Sequence, residues 1–324
     1  MLKKDQLTDQ IHRWMREANR IAICGHLNPD GDCLGSVTGL GRVLMDQGHE
    51  VTCIAYQPPD HLSYLPDFSL LQEAKEDETY DLFIMVDVGD RKRIGAGVHA
   101  LDNSKHSICI DHHLTNDHPC ERNLVIAEAS STCQILSEFL QAYGDPISKN
   151  AATSLYTGLI TDTNRFLYDS SRREAMRVGA SLLEAGADAD LVYLREYQSI
   201  SPKLFSFQGR TVDHAKSLQD GKIMLARVDQ KDLDASGLTM SQAESSVEVL
   251  RDLAGVELAV LVKEFEPGQQ KLSFRSKEYF DVARLAQSLG GGGHRKAAGA
   301  TVSGSMDEVY DKMEKILSNV ELAR

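Results

Sequence analysis

Short apolar runs rich in β-branched residues recur through the first third of the chain: RIAIC at 20–24, HEVTCIAY at 49–56, LFIMVD at 82–87 and SICI at 107–110. Uninterrupted runs of this length are the pattern of strands buried on both faces in a parallel sheet. Segments 130–143, 148–160 and 171–186 instead space their apolar residues as helices do, the last one reaching AGAD, where Gly186 is a natural stop. Strands alternating with helices predict a doubly wound α/β domain. The opening MLKKDQLTDQIHRWM reads as an amphipathic helix and not as a secretion signal, because no apolar stretch follows its charges.

The pattern changes near SPKLFSFQGRTVDHAKSLQDGK at 201–222, where polar turns precede new strand candidates, KIMLARVD at 222–229, VELAVLVKEF at 256–265 and QKLSFRS at 270–276. PGQQ at 267–270 supplies the turn of a hairpin joining the last two. A helix is expected over 281–289. The predicted division is a first domain over 1–195, a linker over 196–214 and a smaller α+β domain over 215–324. A chain of 324 residues is long enough for two cores.

Chemistry concentrates immediately after the predicted elements. GHLNPDGDCLGS (25–36) puts His26, Asp30 and Asp32 in one loop behind the first strand. VDVGD brings Asp87 and Asp90, IDHH brings Asp111, His112 and His113, and LITDTNRF brings Asp162 to a helix end. A lone Asp after a strand is usually a turn former or a helix cap, and a lone histidine pair is usually structural. Independent turns, however, have no reason to end in Asp or His four times over. In an open parallel sheet ligands bind beyond the carboxyl ends of the strands, so these groups converge on one rim. Carboxylate and imidazole donors without sulfur suit manganese and related divalent ions. Six ligands, His26, Asp30, Asp32, Asp87, His112 and Asp162, carry four negative charges, which two divalent cations would neutralise.

Composition narrows the partners. The net charge of −13 opposes broad binding of duplex nucleic acid, where Lys and Arg supply most of the affinity, so an anionic substrate must be held locally. No apolar run approaches the ~20 residues of a membrane span. The six cysteines all fall at or before Cys133 with no CxxC spacing, which predicts reduced, mostly buried thiols and a cytoplasmic protein. GLGRVL (39–44) lacks the third glycine of a dinucleotide fingerprint and falls inside a helix, so no nicotinamide cofactor is inferred.

The set GHLNPDGDCLGS, VDVGD, IDHH and LITDTNRF resembles the four N-terminal motifs of the DHH phosphoesterase family, and SLGGGGHRKAAGA (288–300) resembles the glycine-rich signature of its DHHA1 domain. The resemblance spans essentially the whole chain and looks most like the stand-alone bacterial oligoribonucleases and pAp phosphatases, the nanoRNases. It implies two manganese ions, one on His26, Asp30 and Asp87 and one on Asp32, Asp87, His112 and Asp162, with Asp87 shared. It further implies that Asp111 orients a histidine, that His113 faces the substrate phosphate, and that the two domains meet across a cleft. Asp87, Asp111 and His113 are thus the expected catalytic group. Two ions sharing a carboxylate can hold a water acidic enough to supply hydroxide near neutral pH.

Arg275, Ser276, Gly291, Gly292, Gly293 and His294 are the substrate-binding residues that the resemblance implies. The run Gly290–Gly293 reads on its own either as an anion-binding nest beside His294 or as a plain helix stop. Asn164 stands where the family commonly has glycine, and asparagine tolerates the left-handed backbone that such a turn needs. The resemblance implies hydrolysis of very short RNA and of pAp, with a cyclic dinucleotide or pApA phosphodiesterase as the alternative and a non-catalytic nucleotide-binding module behind it. GGGGH argues against a family II pyrophosphatase. Homodimerisation is common at this size, although no residue marks an interface.

Overall fold

The computed structural model describes residues 2–167 and 172–322, which form two compact units, Met1–Ser199 and Ile200–Arg324. Unit 1 runs α1 (Gln6–Glu17), β1 (Arg20–Cys24), α2 (Gly31–Asp46), β2 (Glu50–Ile54), β3 (Leu71–Gln72), β4 (Tyr80–Val86), α3 (Gly97–Asp102), β5 (Ser104–Asp111), β6 (Arg122–Val125), α4 (Thr132–Tyr143), α5 (Lys149–Asp162), α6 (Arg172–Glu184) and α7 (Ala189–Tyr197). The expected start of α6 at 171 lies outside the described residues. Its six strands are all parallel, in the order β3-β2-β1-β4-β5-β6.

The apolar runs form strands because both of their faces are covered. Ile21, Ile23, Leu82, Ile84, Val86, Ile108 and Ile110 pack with α1, α2, α4 and α5, whereas Ala22, Cys24, Phe83, Met85 and Cys109 pack against α3 and the loops on the other face. The strand order reverses between β1 and β4, and such a switch point opens a crevice at the strands' carboxyl ends. His26 lies just past β1 and Asp87 just past β4, one on each side of that switch.

The tightest helix pair is α2 against α5. Gly31, Gly35 and Gly39 stand four residues apart on α2, and each meets α5 where a side chain would collide. A β-carbon at Gly35 would sit 2.5 Å from the Ser154 carbonyl oxygen, and one at Gly39 would sit 2.8 Å from Leu155. This approach brings the amino end of α2, with Asp32, against the carboxyl end of α5, with Asp162. Gly39 therefore serves helix packing.

Unit 2 comprises α8 (Pro202–Asp213), β7 (Lys216–Leu218), β8 (Ile223–Val228), α9 (Gln230–Ser236), α10 (Met240–Ala243), α11 (Ser246–Asp252), β9 (Leu258–Glu266), β10 (Gln269–Ser276), α12 (Val282–Ser288), β11 (Gly292–His294), β12 (Ala297–Ser303) and α13 (Met306–Asn319). The sheet order is β11-β12-β10-β9-β8-β7, with only β8 and β9 parallel. The β9–β10 hairpin turns at Pro267-Gly268, where Gly268 takes φ +76°, as a left-handed third turn position demands. Helices α12 and α13 cover one face of this sheet, and α8, α9 and α11 cover the other.

The expected linker over 196–214 is not a linker. Ser201 caps α8 by accepting from the Leu204 amide, Pro202 opens the helix, and Phe207 is buried with Leu233, Val247 and Leu250 in the core of unit 2. The second unit therefore begins at Ile200 and not at 215, and the last residues of α7 belong to the first. Among the described residues no helix is long and apolar enough to cross a membrane.

Gly35→Ala is expected to cost about 1–3 kcal/mol through overpacking, lowering the thermal midpoint by about 3–10 °C. The same change at Gly209, inside α8 with nothing within 4 Å of its missing β-carbon, should stabilise by about 0.5–1 kcal/mol. Thermal unfolding of the two variants followed by circular dichroism checks both; equal effects of one sign would refute the close α2–α5 approach.

Candidate functional site

Each side chain of the predicted cluster is set by the end of a regular element. Asp30 caps α2, its Oδ1 accepting from the amides of Asp32 at 3.1 Å and Cys33 at 3.0 Å, so Asp32 lies in the first helical turn and not in the loop. Asp32 is only 1% exposed. Its oxygens accept from the amides of Thr132 at 2.6 Å and Cys133 at 2.9 Å, which open α4. A carboxylate at a helix amino end gains from both the free N–H groups and the helix dipole, which makes this buried charge tolerable.

Asp87 follows β4 with φ +57° and is 2% exposed. One of its oxygens, Oδ2, lies 3.5 Å from His26 Nε2, and the other, Oδ1, lies 3.6 Å from His112 Nε2. The His26 imidazole also lies 3.9 Å from Asp30, and His112 lies 3.3 Å from Asp162 and 3.9 Å from Asp32. Thus all six predicted positions come together in two overlapping groups joined at Asp87. The donor atoms of Asp32, His112 and Asp162 fall within 4.8 Å of one another. Each histidine turns its Nδ1 to a backbone carbonyl, Leu27 for His26 at 2.8 Å and Ala129 for His112 at 3.4 Å, leaving Nε2 aimed at the carboxylates.

Burial, reinforced first by Asp32 and then by Asp30 and Asp162, pushes the Asp87 carboxyl well above its ordinary value. Burial and the charges of Asp32 and Asp30 do the same to Asp162, whose side chain keeps 30% exposure. No Lys or Arg forms an ion pair with Asp30, Asp32, Asp87 or Asp162 among the described residues. A pair of divalent cations fits this donor set: oxygen and nitrogen atoms, an unneutralised excess of carboxylates, and one carboxylate offering separate oxygens to two groups.

Asp111 ends β5 and holds His113, its Oδ1 2.7 Å from His113 Nδ1 and 2.9 Å from the His112 amide, while Oδ2 accepts from Asn116 at 2.7 Å. Against the opposing effect of burial, His113 keeps Asp111 below its ordinary value, and in return Asp111 raises the pKa of His113. The histidine that Asp111 orients is therefore His113. Asp90 accepts from the Lys92 amide at 2.8 Å and caps a short turn, which is a structural role.

Two neighbours escape a motif reading: Thr132 donates its hydroxyl to Asp87 at 3.1 Å, and Asn116 fixes Asp111. Cys33, from the first motif itself, is buried with its sulfur within 4.8 Å of donors of His26 and Asp87. The SSTC stretch before α4 is a recognisable cap signal, and nothing in it announces Asp87 as the partner of Thr132. Asn164 adopts φ +45°, in keeping with its predicted tolerance, and Arg165 and Phe166 follow it at +60° and +61°.

In unit 2, Arg275 lies near the end of β10, 19% exposed, with Glu248 Oε1 3.6 Å from its Nε. Ser276 is buried, and its hydroxyl donates to the Arg295 carbonyl at 3.4 Å. The glycine run is less of a nest than expected. The amides of Gly290 and Gly291 bond to Gln287 and Ala286 as α12 ends, and Gly292–His294 pair with β12. A β-carbon on Gly291 would sit 2.1 Å from the Gly299 oxygen, so close strand packing is one reason for glycine there; Gly292 faces open space. The side chain of His294 lies outside the described residues.

Comparison with known proteins agrees with the geometry. The model of the DHH family, N-terminal domain, matches residues 20–159, and that of the DHHA1 domain matches 220–321. A Thermus thermophilus protein named bifunctional oligoribonuclease and PAP phosphatase NrnA is 30% identical over 306 residues, covering 90% of this chain and 87% of its own length. The cyclic-di-AMP phosphodiesterase GdpP of Geobacillus thermodenitrificans is 24% identical over 92% of this chain, but the match spans only 47% of that protein. A crystal structure of an exopolyphosphatase-related protein from Bacteroides fragilis superposes with a TM-score of 0.89 at 28% identity, covering 98% of this chain and 97% of the other.

Two outcomes follow. In metal-free protein the proton-resonance titration of His113 should have its midpoint above the ordinary histidine value, and Asp111→Asn should move it down; an unmoved midpoint would exclude Asp111 as the cause. Because burial and neighbouring carboxylates raise the proton affinity of Asp87 and Asp162, a divalent cation should release protons as it binds, increasingly so as the pH is lowered below neutral. Calorimetry in buffers of different ionisation enthalpy reads that release, which Asp87→Asn should diminish.

Proposed function

The chain belongs to the DHH/DHHA1 family, and we propose that within it this protein is a manganese-dependent phosphoesterase that hydrolyses very short oligoribonucleotides to mononucleotides and removes the 3'-phosphate of pAp. The observation that carries the reading is the split of Asp87, whose two oxygens face His26 and His112 separately. His26, Asp30 and Asp87 would hold one ion, and Asp32, Asp87, His112 and Asp162 the other. Two such ions, when bound, supply Lewis acidity toward phosphoryl oxygens and acidify a water.

The chain's own residues do the rest. Asp87, fixed by the Thr132 hydroxyl, keeps the two ligand groups in register. His113 takes its orientation and its raised proton affinity from Asp111, so it can present an N–H to the phosphate and deliver a proton to the departing sugar oxygen. Displacement in line at phosphorus then needs no covalent enzyme intermediate. In unit 2, Arg275 is assigned to a substrate phosphate, with Ser276 bracing the strand end beneath it, and Gly291, Gly292, Gly293 and His294 to the nucleotide. An arginine fork pairs well with phosphate oxygens.

The names of the most similar relatives support short RNA and pAp as substrates, and the partial match to GdpP favours cyclic dinucleotides as the second reading. A binding module without catalysis has no reason to keep all six ligand positions. Initial rates with manganese on a two-nucleotide RNA, a twenty-nucleotide RNA, pAp and cyclic di-AMP separate these readings. Turnover of the dinucleotide and pAp with little on the long RNA is expected; a clear preference for cyclic di-AMP would overturn the assignment. His112→Ala should reduce the rate at least about a hundredfold.

A further inference from the structure

The acidic rim poses a difficulty for an anionic substrate. Even with two divalent ions balancing the four ligand carboxylates, a substrate with more than one phosphate needs a fixed cation nearby. The short turn Arg91–Ile94 after β4 carries three basic side chains in succession. Arg91 is engaged by Asp102. Arg93 is exposed, and its guanidinium makes no hydrogen bond or ion pair among the described residues.

The backbone holds Arg93 at the rim. Its carbonyl accepts from the Leu27 amide at 2.7 Å, and Leu27 in turn receives the His26 ring at its own carbonyl, so the turn is hydrogen-bonded to the first ligand loop. Its amide bonds to Asp90, and the neighbouring Ile94 is buried, which anchors the turn from below. Arg93 is also close enough for its charge to act on His113. The residue thus lies beside the His26 loop and within electrostatic reach of His113, on a turn whose backbone is hydrogen-bonded to that loop.

We propose that Arg93 is a substrate-binding residue of unit 1, holding a nonbridging oxygen or a neighbouring phosphate of the nucleotide next to His113. The inference rests on the phosphoesterase reading of the same site. A guanidinium suits the task because its rigid fork donates two parallel N–H groups to a phosphate. Arg93 is a positioning contact for substrate rather than a proton carrier, since arginine stays charged throughout.

The test uses full-length manganese-loaded protein with inorganic phosphate and with pAp. Arg93→Ala should weaken phosphate binding, measured by calorimetry, about tenfold, and raise KM for pAp by a similar factor while kcat stays within about threefold. Arg93→Lys should recover part of the loss, and Arg91→Ala on the same turn should bind phosphate like the wild type. The thermal midpoint of Arg93→Ala should be unchanged. Phosphate affinity unaltered in Arg93→Ala, or lowered equally by Arg91→Ala, would overturn the proposal. Failure of the wild-type protein to hydrolyse pAp or short RNA would instead refute the phosphoesterase reading, while the phosphate titration would still decide the role of Arg93.

Discussion

Everything in unit 1 is arranged around the cost of placing carboxylates where water is scarce. An isolated ionised carboxylate in a dry site is unfavourable by several kcal/mol unless something pairs with it. Asp32 meets this by accepting two amides at the start of α4, and Asp111 by sharing a proton with His113 and taking the Asn116 amide. Among the described residues the side chain of Asp87 has the Thr132 hydroxyl and the histidines as its partners. Like Asp162, it is left short of compensation, and it sits where the two ligand groups meet. Held at φ +57° between two imidazoles, it is the natural meeting point for a pair of divalent cations.

The glycines of α2 are the structural counterpart of that chemistry. Asp32 and Asp162 come from the start of one helix and the end of another, so their meeting depends on how closely those helices run. Larger residues at 31, 35 and 39 would push α5 away and move Asp162 relative to His112, from which it now lies 3.3 Å. At 158 the dependence is direct, since a β-carbon there would fall 2.7 Å from an oxygen of Asp32 itself. Packing and ligation are therefore not separable on this face of the sheet.

How much of this the sequence discloses depends on whether the signal is local. Buried parallel strands announce themselves, and RIAIC and LFIMVD are β1 and most of β4, because burial on both faces requires continuous apolar runs. The candidate ligand positions are legible for a similar reason: His26, Asp87 and His112 follow strands, Asp30 and Asp32 open α2 and Asp162 closes α5, and the topology of a parallel sheet gathers those ends. Helix α8 was concealed by its polar exposed face, although Ser201 and Pro202 mark its start. Thr132 acts on a residue distant in sequence, and no spacing rule links 132 to 87. The glycine run was legible as important but misleading in detail, since two of its amides end a helix and its small size lets β11 lie against β12.

The overall charge of −13 bears on substrate length. In proteins that grip long nucleic acids, each added phosphate finds another Lys or Arg and releases another counterion, so affinity rises with length. This chain carries 48 acidic against 35 basic side chains, so a phosphate without a local cation meets net repulsion. On the proposed reading a nucleotide with one or two phosphates needs few cations, whereas each further phosphate needs another to offset that repulsion. If the protein prefers short substrates, as proposed, a shortage of cations on an acidic chain suffices to explain it without a physical gate.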